Sequence, residues 1–383
     1  MEFMPASLAN PVLANQGAAS PPYNLHNDET VNAAPQALIK GAKRAYATRR
    51  LDLRGAHRLV LPDRPPQAGD IVLCAVVEIG QHAHLELVTG RRARLFPGDT
   101  IIVAYGERYA TDQFHARLPS DFSICSLAAA GGIAGEVVDK HDSMRKATRI
   151  RPLGLLEDRD GTVFNLAAGA VPALAIDPAA RRPGVITVLG SSMNAGKTTT
   201  AANIIRSLVR QNLKVAAVKL TGTGSGGDCW LFEDSGADPV LDFTDAGFAS
   251  TYNVPAAEIE AAGWRLLSVL FAAKPDFIVC EIADGIFQQE TAALLRSAFL
   301  KEVTDSVIFA AGDPISAAAG AHLLASHGLA PAAISGLVSA SPLAAEEAAR
   351  ATGLRVLTNA DFDSGEALSA ALLSVARVAG GRS

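Results

Sequence analysis

Gly190-Ser-Ser-Met-Asn-Ala-Gly-Lys-Thr-Thr-Thr200 follows the apolar run Gly184-Val-Ile-Thr-Val-Leu189 and precedes an amphipathic run that starts near Ala201. This is the order strand, glycine-rich loop, helix N-terminus. Backbone N–H groups at the positive end of a helix can replace the water around a phosphate chain, so the stretch predicts a phosphate-binding loop. Lys197 would add a point charge and Thr198 a hydroxyl for Mg²⁺, with Ser191, Asn194, Ala195, Gly196 and Thr199 completing the cradle. The pattern Gly-x-x-x-x-Gly-Lys-Ser/Thr is met with one departure. Its first position is Ser191, and the glycine stands one residue earlier, at Gly190.

Downstream, short apolar runs alternate with longer helix-compatible ones. Strands are expected at 185–189, 214–219, 276–281, 306–310, 333–338 and 355–357, and helices at 198–211, 228–235, 256–273, 289–301, 316–327, 343–352 and 364–378. That alternation predicts a doubly wound, mainly parallel α/β sheet with its ligand site at the carboxyl ends of the strands.

Three groups fall at those ends. Lys219 closes the strand Val215-Ala-Ala-Val218 and would face a γ-phosphate or an anionic acceptor, with Thr223 four residues on in the loop Leu220-Thr-Gly-Thr-Gly-Ser-Gly-Gly227. Asp228 ends that loop, where helix N-capping alone would justify an aspartate. Glu281 ends the apolar strand Phe277-Ile-Val-Cys280 and is followed by Ile-Ala-Asp-Gly285. A carboxylate there must meet a cation, and beside a phosphate loop that cation is Mg²⁺, with a neighbouring Lys or Arg as the alternative.

Upstream the texture differs. Residues 1–40 are rich in Ala, Asn and Pro and read as a flexible tail; 41–180 read as a β-rich domain, a small barrel or sandwich for substrate or partner recognition; 181–383 read as the nucleotide-binding domain. The basic segment Lys40, Lys43, Arg44, Arg49, Arg50, Arg54 and Arg58 is expected to be a solvated surface. His82 and His84 would share a strand face, but no third metal ligand is evident and exposed loop histidines are the simpler reading. Arg108 and Asp112 admit two readings, contact with a charged substrate or a local salt bridge. Ala129-Ala-Gly-Gly-Ile-Ala-Gly135 lacks the strand–helix context of a phosphate site and is expected to be a turn.

Composition narrows the class. With 49% hydrophobic and 19% charged residues and a net charge of −5, the chain is an ordinary globular protein whose charge argues against nucleic-acid binding. Cys74, Cys125, Cys229 and Cys280 form no Cys-x-x-Cys pair, which points to a reducing cytoplasm, and no apolar stretch is long enough to span a bilayer.

Residues 184–380 resemble the small-molecule branch of the P-loop proteins that includes dethiobiotin synthetase, the cobyrinic acid amidating enzymes and the nucleotide-binding adaptor of molybdopterin-guanine dinucleotide synthesis. Lys197 and Thr198 match its phosphate loop, and Lys219-x-x-x-Thr223 resembles its substrate-facing lysine and hydroxyl. The resemblance implies that Lys197, Lys219 and Glu281 are catalytic, that Thr198, Asp228 and Glu281 hold Mg²⁺, and that ATP is the nucleotide. Gly320-Ala-His-Leu-Leu-Ala-Ser-His-Gly-Leu329 and Ile334-Ser-Gly-Leu-Val338 are similar to its late helix and strand. The family's base-recognition asparagine is missing at Ser339-Ala-Ser-Pro342, which leaves GTP open, and Ser192 stands where partitioning ATPases carry a further lysine.

The expected function is Mg²⁺-dependent transfer of the γ-phosphoryl group to a small metabolite, either activating a carboxylate or carbamate for ligation or acting as a kinase on a hydroxyl. The alternative is a nucleotide-gated adaptor for a partner enzyme. A homodimer is left open, as relatives of this fold often work as dimers.

Overall fold

The computed structural model describes residues 35–177, 179 and 181–379. Of the expected tail, residues 1–34 lie outside the described residues, and Pro35–Gly41 form a helix, α1, which corrects the tail's end.

Ten strands build the first part: β1 (Lys43–Arg44), β2 (Arg58–Val60), β3 (Ile71–Glu78), β4 (His84–Glu86), β5 (Arg92–Arg94), β6 (Thr100–Tyr105), β7 (Phe114–Arg117), β8 (Cys125–Ala129), β9 (Ile133–Lys140) and β10 (Thr148–Glu157). The main sheet runs β1-β6-β3-β10-β8-β9-β7, with β2 on β10, while β4 and β5 form a separate ribbon. A further parallel pairing joins β6 to β9 through Ala104↔Ile133 and Tyr105↔Ala134, so the pairings from β6 through β3, β10, β8 and β9 return to β6. Val72, Cys74, Val103, Leu127 and Ile150 fill one apolar cluster of this part. Ile71, Leu73 and Ile102 join a second cluster, so β3 and β6 bury successive side chains on both faces.

The second part is a six-stranded sheet in the order β13-β12-β14-β11-β15-β16, made of β11 (Gly184–Gly190), β12 (Val215–Lys219), β13 (Val240–Asp242), β14 (Phe277–Glu281), β15 (Ser306–Ala310) and β16 (Ala333–Ser335). Every pairing in it is parallel. The helices are α2 (Lys197–Arg210), α3 (Gly227–Asp234), α4 (Ala256–Ala272), α5 (Gln289–Arg296), α6 (Ala298–Val303), α7 (Pro314–Ser326), α8 (Pro342–Thr352), α9 (Asn359–Ser364) and α10 (Glu366–Ala379). Alternation along β11 separates its two faces. Val185 and Leu189 join α4 to α8 in one apolar cluster, whereas Ile186 and Val188 join α2, Phe232 of α3, Phe362 and Leu368 in another. A sheet buried on both faces needs nearly continuous apolar strands, which these are.

Three expectations shift. Residues 355–357 make only an isolated bridge, Ile334↔Val356, while the short edge strand β13 was not foreseen. The expected helix 289–301 breaks at Ser297, whose side chain caps α6. The expected helix 364–378 is α10, preceded by the separate α9.

The basic segment is a solvated surface at Lys40, Arg54 and Arg58, but not at Arg49. Arg49 donates to Asp245 at 2.7 Å and to Asp242 at 3.3 Å, Arg50 donates to Asp245 at 2.5 Å, and the Tyr46 hydroxyl donates to Asp242 at 2.8 Å. Asp242 and Asp245 are fully buried, so the attraction of cations outweighs solvation here. A second anchor is Glu86, which accepts from the Gly226 amide at 3.0 Å and from Trp230 Nε1 at 2.8 Å. The first anchor ties the first part to β13 and the turn that follows it, and the second ties it to α3 and the glycine-rich loop before it.

Candidate active site

Lys197 opens α2 directly behind the phosphate loop and is 6% exposed. Its ammonium donates to the Ser192 carbonyl at 2.8 Å, so the side chain folds back over the loop. The glycine displaced to position 190 is explained by this stem: a Cβ there would lie 2.6 Å from Lys197 Cγ. The Ser191 amide is bonded to the Ala310 carbonyl at 2.9 Å, and Ala195 is buried with its carbonyl accepting from the Leu337 amide at 3.0 Å. Ser191 and Ala195 thus help to frame the loop. Asn194, Gly196, Lys197, Thr198 and Thr199 face the cleft.

The cleft has a volume of about 450 Å³. It gathers the predicted Lys219, Thr223, Asp228 and Glu281 at the carboxyl ends of β12 and β14, which are neighbours paired at Lys219↔Glu281. Thr198 Oγ1 donates to Glu281 Oε1 at 3.1 Å, and Glu281 Oε2 is buried without a partner. Burial pushes the Glu281 carboxyl above the ordinary range against the pull of Lys219. A buried carboxylate oxygen without a donor, beside a threonine hydroxyl, is a donor set that fits Mg²⁺, a hard cation that keeps several waters.

Asp228 does not cap its helix, as Gly226 holds that position. Instead it sits in the first turn of α3 and forms an ion pair with Lys219. Burial works against the Lys219 charge, but Asp228 and Glu281 outweigh it and raise its pKa. In this arrangement Asp228 pairs with the lysine, while Thr198 and Glu281 are in mutual contact. Lys197 has its pKa lowered by burial, partly offset by Glu281 and Asp284.

The opposite wall is the loop that follows β6 in the first part. Arg108, Tyr109, Ala110, Asp112 and Gln113 line it. Asn194 Nδ2 donates to Asp112 Oδ2 at 2.9 Å, Asn253 Nδ2 donates to Glu107 at 2.7 Å, and the Tyr109 and Tyr252 rings lie 5.5 Å apart. Of the two readings of Arg108 and Asp112, the local salt bridge is not formed: among the described residues Arg108 makes no ion pair, and its partners are Ala128 O, Gln113 Oε1 at 2.9 Å and His82 Nε2 at 3.2 Å. Asp284, in the quoted run after Glu281, also lines the cleft, and burial raises its carboxyl pKa. Its signal in the sequence is its place three residues beyond Glu281, at the carboxyl end of β14.

Of the stretch 129–135 expected as a turn, 130–132 form the turn between β8 and β9, while Ala129 and 133–135 belong to those strands. This turn touches the glycine-rich loop 220–227: a Cβ on Gly131 would lie 2.0 Å from the Gly224 carbonyl. His82 and His84 do not form a metal site. His82 is partly buried against Ala128 and Arg108, His84 is exposed, and among the described residues no group of three His, Cys, Asp or Glu gathers.

A parallel sheet with a glycine-rich loop leading into a helix behind a buried lysine defines a P-loop nucleotide-binding domain. No protein-family model matches the chain, and no curated protein matches it. Among solved structures it is similar to the signal recognition particle receptor FtsY of Elizabethkingia anophelis, at 16% identity and TM-score 0.29 over 41% of this chain and 50% of that one. It is also similar to the signal recognition particle 54 kDa protein of Aeropyrum pernix K1 in complex with GDP, at 20% identity and TM-score 0.35 over 55% and 53%. Chloroplast FtsY of Physcomitrella patens gives 15% identity and TM-score 0.36 over 54% and 70%. The chain spans about half the length of the first two. At these scores the likenesses carry no argument, and the class rests on the loop and its sheet. No helix among the described residues is long and apolar enough to cross a membrane.

Proposed function

We propose that the chain is a Mg²⁺-dependent enzyme that moves the γ-phosphoryl group of ATP, with GTP as the competing donor, to an oxygen of a small metabolite. The observation that carries this reading is a cleft with two walls from one chain: buried Lys197 and Lys219 on one side and buried Arg108 on the other. Phosphoryl transfer needs positioning and neutralised charge more than covalent help from the protein. Lys197 swings from the Ser192 carbonyl to the β/γ-phosphates. Thr198 and Glu281 would hold Mg²⁺, which when bound offsets the phosphate charge. Lys219, fixed by Asp228, faces the transferred group. The acceptor oxygen attacks the γ-phosphorus while the bond to the bridging oxygen breaks, and its electron pair leaves with the nucleoside diphosphate. We read the closed circuit of strands as a small barrel that carries the 106–113 wall, and Thr223 with Lys219 as acceptor contacts.

The test is Mg²⁺-dependent consumption of ATP and of GTP by the full chain, with and without a protein-free metabolite extract, and with Lys197→Ala as control. Acceleration by extract in the wild type alone is the expected result. No turnover of either nucleotide under any condition rejects the reading.

A second reading, the nucleotide-gated adaptor, draws on a separate observation. Phe287, Ile315 and Leu343, which are 79%, 82% and 74% exposed, follow β14, β15 and β16 on the edge that carries the phosphate loop. Exposed apolar side chains there suit a protein partner. Hydrolysis stimulated by a protein, and by no metabolite, would select this alternative.

A further inference from the structure

A second cleft, also about 450 Å³, opens on the far side of the 106–113 wall and shares Arg108, Asp112, Gln113 and Thr223 with the phosphate cleft. Its own lining includes Gln81, His84, Arg92 and Ser225. Each volume lies in the range of small-molecule sites. The two are thus adjacent compartments with a common partition, and Arg108 stands in that partition.

Arg108 is unusual for a guanidinium. It is 8% exposed, and its backbone is pinned by paired hydrogen bonds to Ala116, both 2.9 Å. All its side-chain partners are neutral, and Nε is buried with none. Burial draws its pKa down to about 10 against the pull of Asp112 and Asp284, neither of which is hydrogen-bonded to it. Asp112, the carboxylate on the same partition, is bonded instead to Asn194 of the phosphate loop. A buried charge of this kind is completed by an oxyanion, and carboxylates suit the planar donor geometry of arginine. Arg92, exposed at the rim of the second cleft, adds positive charge at its entrance.

We infer that the second cleft is the acceptor subsite and takes a small organic acid, whose carboxylate meets Arg108 while the rest of the molecule reaches past Thr223 toward Lys219. The direction of the Arg108 head supports the assignment. Its Nη1 contacts His82, which lines the second cleft, and the Ala128 carbonyl, so the head is held from that side of the partition while the residue lines both clefts. This inference rests on the phosphoryl-transfer reading.

Calorimetric titration of the full chain, saturated with Mg²⁺ and the β,γ-imido analogue of ATP, tests it. The probes are the short mono- and dicarboxylates from acetate to pimelate, their amides as neutral controls, and inorganic phosphate. A carboxylate is expected to bind at least about ten times more tightly than its amide and than phosphate, with Arg108→Gln costing about ten-fold and Arg92→Gln about three-fold in affinity. Arg92 is exposed, so its variant folds even where Arg108→Gln does not. Equal affinity of acids and amides, preference for phosphate, no carboxylate binding to the analogue-loaded protein, or unchanged affinity in the variants overturns the subsite. Failure of the analogue itself to bind the wild type rejects the phosphoryl-transfer reading instead and takes the subsite with it.

Discussion

Asn194 of the phosphate loop is hydrogen-bonded through Nδ2 to the Asp112 carboxylate at 2.9 Å, across 82 positions of sequence. The bond crosses the mouth of the cleft and couples the loop to the opposite wall. It is exposed, so its worth to global stability is small. Its removal should be felt in nucleotide binding. Asp112→Ala is expected to raise the nucleotide KM by about three- to ten-fold with a change in melting temperature below about 2 °C. Steady-state kinetics beside thermal melts separate the outcomes, and an unchanged KM with a lowered melting temperature would reduce the contact to a structural one.

In the proposed mechanism Lys197 and Glu281 would act on the same phosphate charge, one directly and one through Mg²⁺. Lys197→Ala should lower nucleotide turnover by about a hundred-fold or more, and Glu281→Gln should lower it similarly and shift the Mg²⁺ requirement upward. Far-ultraviolet circular dichroism should be unchanged in both. Turnover near the wild-type rate in the pair would end the proposed mechanism.

The phosphate loop was legible because its chemistry is local: strand, loop, lysine and hydroxyl lie within a short run. Lys219 and Glu281 were legible because each ends an apolar strand, and parallel pairing places them side by side. What could not be read were the groups whose partners are remote. Tyr46 and Arg49 meet Asp242 and Asp245 across separations of 196 positions, and Glu86 meets Trp230 across 144. A run of arginines has the same local texture whether it faces water or a buried carboxylate. Arg108 was visible as a residue, but its partners His82 and Ala128 stand 26 and 20 positions away and meet it only in the folded first part.

The Arg49 contacts carry a stability prediction. Asp242 and Asp245 have no exposure, and Arg49 is the cation common to both. Removing one partner from a buried ion pair typically costs about 3–5 kcal/mol, so Arg49→Ala should lower unfolding free energy by that order in urea titrations. Arg50→Ala should cost less than about 1 kcal/mol, because its side chain is 45% exposed and Arg49 still holds Asp245. Equal losses in the two variants would show that the anchor does not rest on Arg49.

His82 gives the protein a pH dependence with a defined sign. Burial, and then the neighbouring Arg108, lower its pKa from 6.5 to about 4. The Phe114 ring packs at 5.5 Å and the Ala128 carbonyl lies 3.1 Å from Nε2, so the charged form gains too little to offset the burial. Above pH 6.5 the imidazole is neutral in both the folded and unfolded chain and contributes no pH dependence. As pH falls below that value the unfolded chain takes up a proton that the folded chain refuses, and stability is lost until the folded pKa is reached. A difference of this size corresponds to at most about 3 kcal/mol between pH 7 and pH 4. His82→Gln should therefore lose less stability than the wild type over that interval, with the two curves parallel above neutrality. Unfolding free energies measured by urea titration at several pH values test this, and a wild-type curve that stays parallel to the variant's down to pH 4 would show that His82 is protonated in the folded state without cost.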